Sequence, residues 1–102
     1  MVTIKWTEQS IQDIDNISEF IAKDSEKYAK IQAQRFFTGT EILIKNPQAG
    51  QPVPEIADQS IRQLLQGNYR IIYKIIDVTT VHILTVHHSR RLLSNNPLFT
   101  ND

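Results

Sequence analysis

The sequence predicts an α+β domain in the order β-α-α-β-β-β, an antiparallel four-stranded sheet with a helical hairpin on one face. Apolar residues alternate every second position in "VTIKW", the period of a half-buried strand, and three short apolar segments bounded by turn signals follow residue 60. Between these regions the apolar spacing is three and four residues, the period of amphipathic helices. Short turns separate the last three strands, so they form a meander, and one pair of helices can cover only one side of it.

In "VTIKW", Val2, Ile4 and Trp6 share one face and Thr3 and Lys5 the other. Thr7 is placed to cap a helix over Glu8–Lys23, where Ile11, Ile14, Ile17 and Ile21 form the buried stripe and Phe20 widens it. After "KDSEK", Ser25 caps a second helix. Its face of Ala29, Ala33, Phe36, Phe37, Thr40, Leu43 and Ile44 runs until Asn46–Pro47 stops it. The short break between the helices implies an antiparallel hairpin. Gly39 inside the second helix costs about 1 kcal/mol against alanine, so a close packing contact or local softness is expected there. "NPQAGQPVPEIADQ" holds three prolines and a glycine and reads as a stiff loop. The strands "SIRQLLQ", "YRIIYKII" and "TVHILTVHH" follow, joined by turns at Gly67–Asn68 and at Asp77 to Thr80.

The length of 102 residues fits one domain, expected over residues 1–93, with residues 94–102 a short polar tail in which Leu98 and Phe99 either dock or await a partner. There is no cysteine, which excludes disulfides, zinc–thiolate sites and a thiol nucleophile. No apolar run approaches the ~20 residues needed to cross a bilayer, and the N-terminus shows no signal peptide, so a cytoplasmic protein with no membrane contact is expected. Eleven basic residues balance eleven acidic ones, but over residues 60–93 Arg62, Arg70, Lys74, Arg90 and Arg91 face Asp77 alone. Such a surface can hold a few phosphates or an acidic peptide, not a long duplex.

The strand "YRIIYKII" puts Arg70, Ile72, Lys74 and Ile76 on one side, and its cations mark that side as the one away from the helices. If the turn pairs Ile76 with His82, Arg70 lies opposite His88 on this open face. That register is expected because it leaves Val81 and Ile83 for the helices; a slip of one residue would bring His87 there instead. Either way an imidazole neighbours a guanidinium. Such a pair can hold a phosphate at two points while histidine moves a proton, and Glu55 in the preceding loop can complete the set. Equally, histidines at a strand end can be plain half-exposed polar groups, and Tyr69 and Tyr73 fit a core better than a stacking platform. His87 and His88 are adjacent on a strand and point to opposite faces, so they cannot share a metal. No metal or cofactor is expected.

The segments "VPEIADQSIRQLLQGNYRIIYKI" and "VHILTVHHSRRLL", with "IKWTEQSIQDIDNISEFIAKDS" at the N-terminus, resemble the RelE/ParE toxin superfamily of bacterial type II toxin–antitoxin systems across residues 2–93. The resemblance implies a small growth-inhibiting toxin neutralised by a cognate antitoxin in a hetero-oligomer. Its target would be DNA gyrase, as in ParE-like members, or mRNA on the ribosome, as in RelE-like endoribonucleases. Glu55, Arg70 and His88 occupy positions resembling the Glu/Arg/His set of YoeB-like ribonucleases, and would be catalytic only in that case. Ser89 stands where those enzymes have a tyrosine. The "H-S-R-R" segment is nearer the ParE-like "H-G-R-R", no lysine occurs from Gln48 to Tyr73, and net charge is zero. The reading therefore leans to a ParE-like gyrase poison, with Arg62, Lys74, His87, Arg90 and Arg91 as binding residues; the alternative is a ribosome-dependent mRNA endoribonuclease.

Overall fold

A computed structural model describes residues 1–89. Its α+β architecture is that expected: strand β1 (Thr3–Trp6), helices α1 (Glu8–Ala22), α2 (Glu26–Gly39) and α3 (Ile42–Lys45), then strands β2 (Gln51–Pro52), β3 (Ile61–Gln66), β4 (Tyr69–Asp77) and β5 (Thr80–His88). Two details of the sheet differ from expectation. It has five strands in the order β1-β5-β4-β3-β2, and β1 pairs with β5 in parallel. The meander turns twice between β3 and β5, so the last strand returns in the direction of the first and docks beside it. The extra strand, β2, pairs Pro52 with Arg62 at the sheet edge, where a residue without an N–H breaks no ladder.

Thr7 caps α1 as expected, its hydroxyl accepting from the Ser10 N–H at 3.2 Å, and Ser25 caps α2 through the Tyr28 N–H at 3.1 Å. The second helix ends earlier than its apolar spacing suggests. At Gly39 an added side chain would run into the end of the Gln66 side chain, so the glycine marks a close packing contact. Thr40 then turns its hydroxyl back onto the Phe37 carbonyl at 2.9 Å, and the chain restarts as the single turn α3.

The main core lies between helices and sheet: Val2, Ile14, Phe36, Leu43, Ile71, Tyr73, Val81, Ile83 and Val86. Phe20 does not belong to it. It is 70% exposed, with Lys23 Nζ 5.9 Å from its ring centre, because the stripe of α1 is narrower than the sequence suggests. Trp6 and Phe37 close one side with ring centres 4.7 Å apart. A second small cluster, Val53 and Ile72 with Ile56, Ile61 and Leu84, forms on the opposite face of the sheet. The proline-rich loop thus covers part of the face that the helices leave. Tyr73 anchors that loop, its hydroxyl donating to the Pro47 carbonyl at 2.7 Å and accepting from the Gly50 N–H at 3.0 Å. Gly67 has φ +56 and no non-glycine residue among the described residues has positive φ, the pattern of a II′ hairpin turn with glycine first.

Candidate functional site

The helix-free face gathers Gln63 from β3, Arg70, Ile72 and Lys74 from β4, and His82, Leu84 and His87 from β5, as the cross-strand pairs Gln63–Ile72, Lys74–His82 and Arg70–His87 require. Arg70 is its centre and is only 9% exposed. Its two terminal nitrogens grip both oxygens of Glu55, Nη1 to Oε1 at 3.0 Å and Nη2 to Oε2 at 2.8 Å. Nη1 also donates to Gln63 Oε1 at 3.2 Å. Nε of Arg70 is buried with no hydrogen-bond partner among the described residues.

Glu55 reaches in from the loop after β2, its side chain 44% exposed. The hydrogen bond from Arg70 holds its carboxyl below the usual value, outweighing the partial burial that acts the other way; the charge of His87 lowers it slightly further. Glu55 is therefore a carboxylate at neutral pH, not a proton donor.

The histidine beside this pair is His87, 5% exposed, and not His88 as expected from the favoured register. The turn sets the difference, because it pairs Asp77 with Thr80 where the expected register would pair it with Val81; two irregularities further along then cancel each other. Ile76 is an extra residue on β4, between the pairs Ile75–Val81 and Asp77–Thr80, and Leu84 is an extra residue on β5, between Tyr73–Ile83 and Ile72–Thr85. Strict alternation from Ile83 would turn Val86 away from the helices. The additional residue at Leu84 lets Val81, Ile83 and Val86 all enter the core, and His87 then falls on the open face. His88 pairs with Tyr69 on the other side, their ring centres 5.3 Å apart, and Tyr69 meets Phe36 at 5.2 Å, edge to face.

The remaining candidates separate. Arg62 does not face the site: Nε donates to the Gly50 carbonyl at 2.9 Å and its terminal nitrogens to Gln59 and Gln48 carbonyls at 3.4 Å, so it fastens the loop. Lys74 shares the open face with Arg70 but lies opposite His82, four residues along the strand. Arg90 and Arg91, like Leu98 and Phe99, lie outside the described residues. The expected set Glu55, Arg70 and His88 thus becomes Glu55, Arg70 and His87, with Gln63 added.

Gln63 was legible in principle as a polar residue on the parity of β3 that faces away from the helices. Asp13 was not. Its carboxylate, on α1, accepts from the Val86 N–H at 3.1 Å and from the Thr85 hydroxyl through the same oxygen. Chemically, the cluster offers a carboxylate, a guanidinium and an imidazole. A phosphate would reach the two-point fork of Arg70 only by displacing Glu55.

A family model described as "ParE toxin of type II toxin-antitoxin system, parDE" matches residues 4–93. Among solved structures, the chain is similar to a chromosomal ParDE toxin–antitoxin system from P. aeruginosa, at TM-score 0.72 and 20% identity over 86% of this chain and 96% of that one. It is also similar to the RelBE2 toxin–antitoxin complex from Mycobacterium tuberculosis, at TM-score 0.54 and 24% identity over 85% and 96%. Both likenesses concern the fold. No curated protein matches. No helix among the described residues is long and apolar enough to cross a membrane. With the family match spanning nearly all of it, the chain belongs to the ParE toxin family of type II toxin–antitoxin systems, within the RelE/ParE superfamily.

Proposed function

We propose that this toxin arrests growth by a protein contact with DNA gyrase, without chemistry of its own, and uses the open face around Arg70, Glu55 and His87. The observation that carries this reading is the closed fork of Arg70. Phosphoryl chemistry needs a cation free to meet developing charge, and here both guanidinium ends are bound to a carboxylate of the same chain. A neutral pair beside the partly exposed Leu84 suits a protein surface better than a polyanion. The overall zero charge supports the same choice.

A cognate antitoxin completes the proposal. The solved relatives are toxin–antitoxin assemblies, and an acidic amphipathic segment or added strand would cover the basic, apolar groove in a hetero-oligomer. Residues 1–93 would act as one domain in the cytoplasm, with residues 94–102 as a tail and with Arg90 and Arg91 as further binding residues.

Purified toxin added to gyrase with relaxed plasmid tests the target. Lost supercoiling together with trapped, cleaved DNA is expected, and relief by antitoxin. Unchanged supercoiling at high molar excess would end the gyrase reading. A second reading is favoured by one observation: Glu55, Arg70 and an imidazole do converge on one face. In it the chain cuts mRNA on ribosomes, with His87 moving the proton. Cleaved transcripts on translating ribosomes, lost in His87→Ala and Arg70→Ala, would establish it.

A further inference from the structure

We propose that Asp13, on helix α1, is a positioning residue for the open face: it clamps Thr85 and Val86, directly after the extra residue of β5, and so holds the register that puts His87 beside Arg70. β1 ends opposite Ile83, which leaves the outer edge of β5 uncovered from Leu84 onwards. The start of α1 takes over that edge. The Thr7 N–H donates to the Ile83 carbonyl at 3.2 Å, and the Thr7 hydroxyl reaches the Ile83 and Leu84 carbonyls at 2.8 and 3.0 Å. Asp13 Oδ2 takes the Val86 N–H at 3.1 Å and the Thr85 hydroxyl. Its other oxygen is held by Gln9 Nε2 at 2.8 Å, so the carboxylate has little freedom to turn. The groups on both sides of the irregularity are therefore satisfied by α1 and not by a neighbouring strand.

The alternative register follows from the pairs themselves. If Leu84 rejoined the ladder while Tyr73 stayed opposite Ile83, Arg70 would face Val86 and His87 would face Tyr69. His87 would then leave the Arg70 side altogether. A one-residue change in β5 exchanges the open-face groups, and Asp13 opposes it from 73 residues away in sequence. The register consequence stands on the geometry alone; the functional consequence rests on the open face being the working surface.

Nuclear magnetic resonance of the full chain tests this with Asp13→Ala and Asp13→Asn. In the wild type, cross-strand contacts Arg70–His87 and Ile71–Val86 are expected, with a slowly exchanging Val86 amide. In folded Asp13→Ala the contacts should move to Arg70–Val86 and Tyr69–His87, and growth arrest should weaken by about tenfold or more. Asp13→Asn keeps an acceptor for the Val86 N–H and should retain the native contacts. Unchanged Arg70–His87 contacts in folded Asp13→Ala would overturn the proposal. Where that variant does not fold, the wild-type Val86 amide decides: protection supports the clamp, and exchange as fast as an exposed loop amide contradicts it. A moved register with undiminished growth arrest would leave the clamp standing and remove the open face as the working surface.

Discussion

Arg70 and Glu55 show how much of the site depends on one pair of side chains. A guanidinium that is nine-tenths buried needs compensation, and Glu55 supplies it with two parallel hydrogen bonds. Replacing Glu55 with glutamine keeps the shape but leaves the buried charge without its counterion. We expect Glu55→Gln to destabilise the fold by about 1–2 kcal/mol in urea titration, less than for a fully buried pair because Glu55 is 44% exposed. The pH dependence has a definite sign. The folded-state carboxyl of Glu55 is held below its ordinary value of 4.5, so its contribution is fully present above that value and is lost as pH falls through the lower, folded one. Stability should therefore drop on acidification across the carboxylate range, and the drop should be shallower in Glu55→Gln. Equal slopes in both proteins would show that the pair contributes nothing there. The residue types were legible: a loop glutamate, a strand arginine and a strand-end histidine were all candidates from sequence. Their contacts were not, because a loop carboxylate carries no mark of which cation it will meet.

Among the secondary-structure elements, periodicity revealed most of the helices and strands and missed what breaks periodicity. β1, α1 and the three long strands were visible from spacing and caps. The end of α2 was hidden because Phe36, Leu43 and Ile44 keep helical spacing across the break at Gly39 and Thr40. The extra residue at Leu84 was hidden for a related reason. In "VHILTVHH" apolar residues occupy both parities, so neither register stands out, and no glycine flags the irregularity. Only the three-dimensional need to bury Val81, Ile83 and Val86 together selects it. The same distinction between spacing and burial gives a mutational contrast. Phe36→Ala removes a fully buried ring and should cost about 3–5 kcal/mol, whereas Phe20→Ala on the exposed side of α1 should stay within about 0.5 kcal/mol. Comparable losses at both would contradict the placement of the α1 stripe. Loop attachment is testable separately. Tyr73→Phe strands the buried Gly50 N–H and removes the donor to the Pro47 carbonyl, so a loss of about 1–3 kcal/mol is expected by thermal or urea denaturation.

Among the described residues, three helices against one face and a proline-rich loop against part of the other leave Lys74, His82 and Leu84 partly exposed around the nearly buried Arg70 and His87. The fold class was legible because helical and strand-like segments are segregated along the chain. The parallel pairing of β1 was not, since strand direction depends on the path over the helices and not on any local pattern. The register of the β4–β5 hairpin decides which histidine lies beside Arg70, and with it the surface proposed to meet the target. Supercoiling inhibition by His87→Ala and His88→Ala toxins, each shown to be folded by circular dichroism, is the most direct test. If the Arg70–His87 face is the working surface, His87→Ala loses inhibition while His88→Ala, altered on the Tyr69 side, stays close to wild type. Full inhibition by His87→Ala together with its loss in His88→Ala would contradict the account.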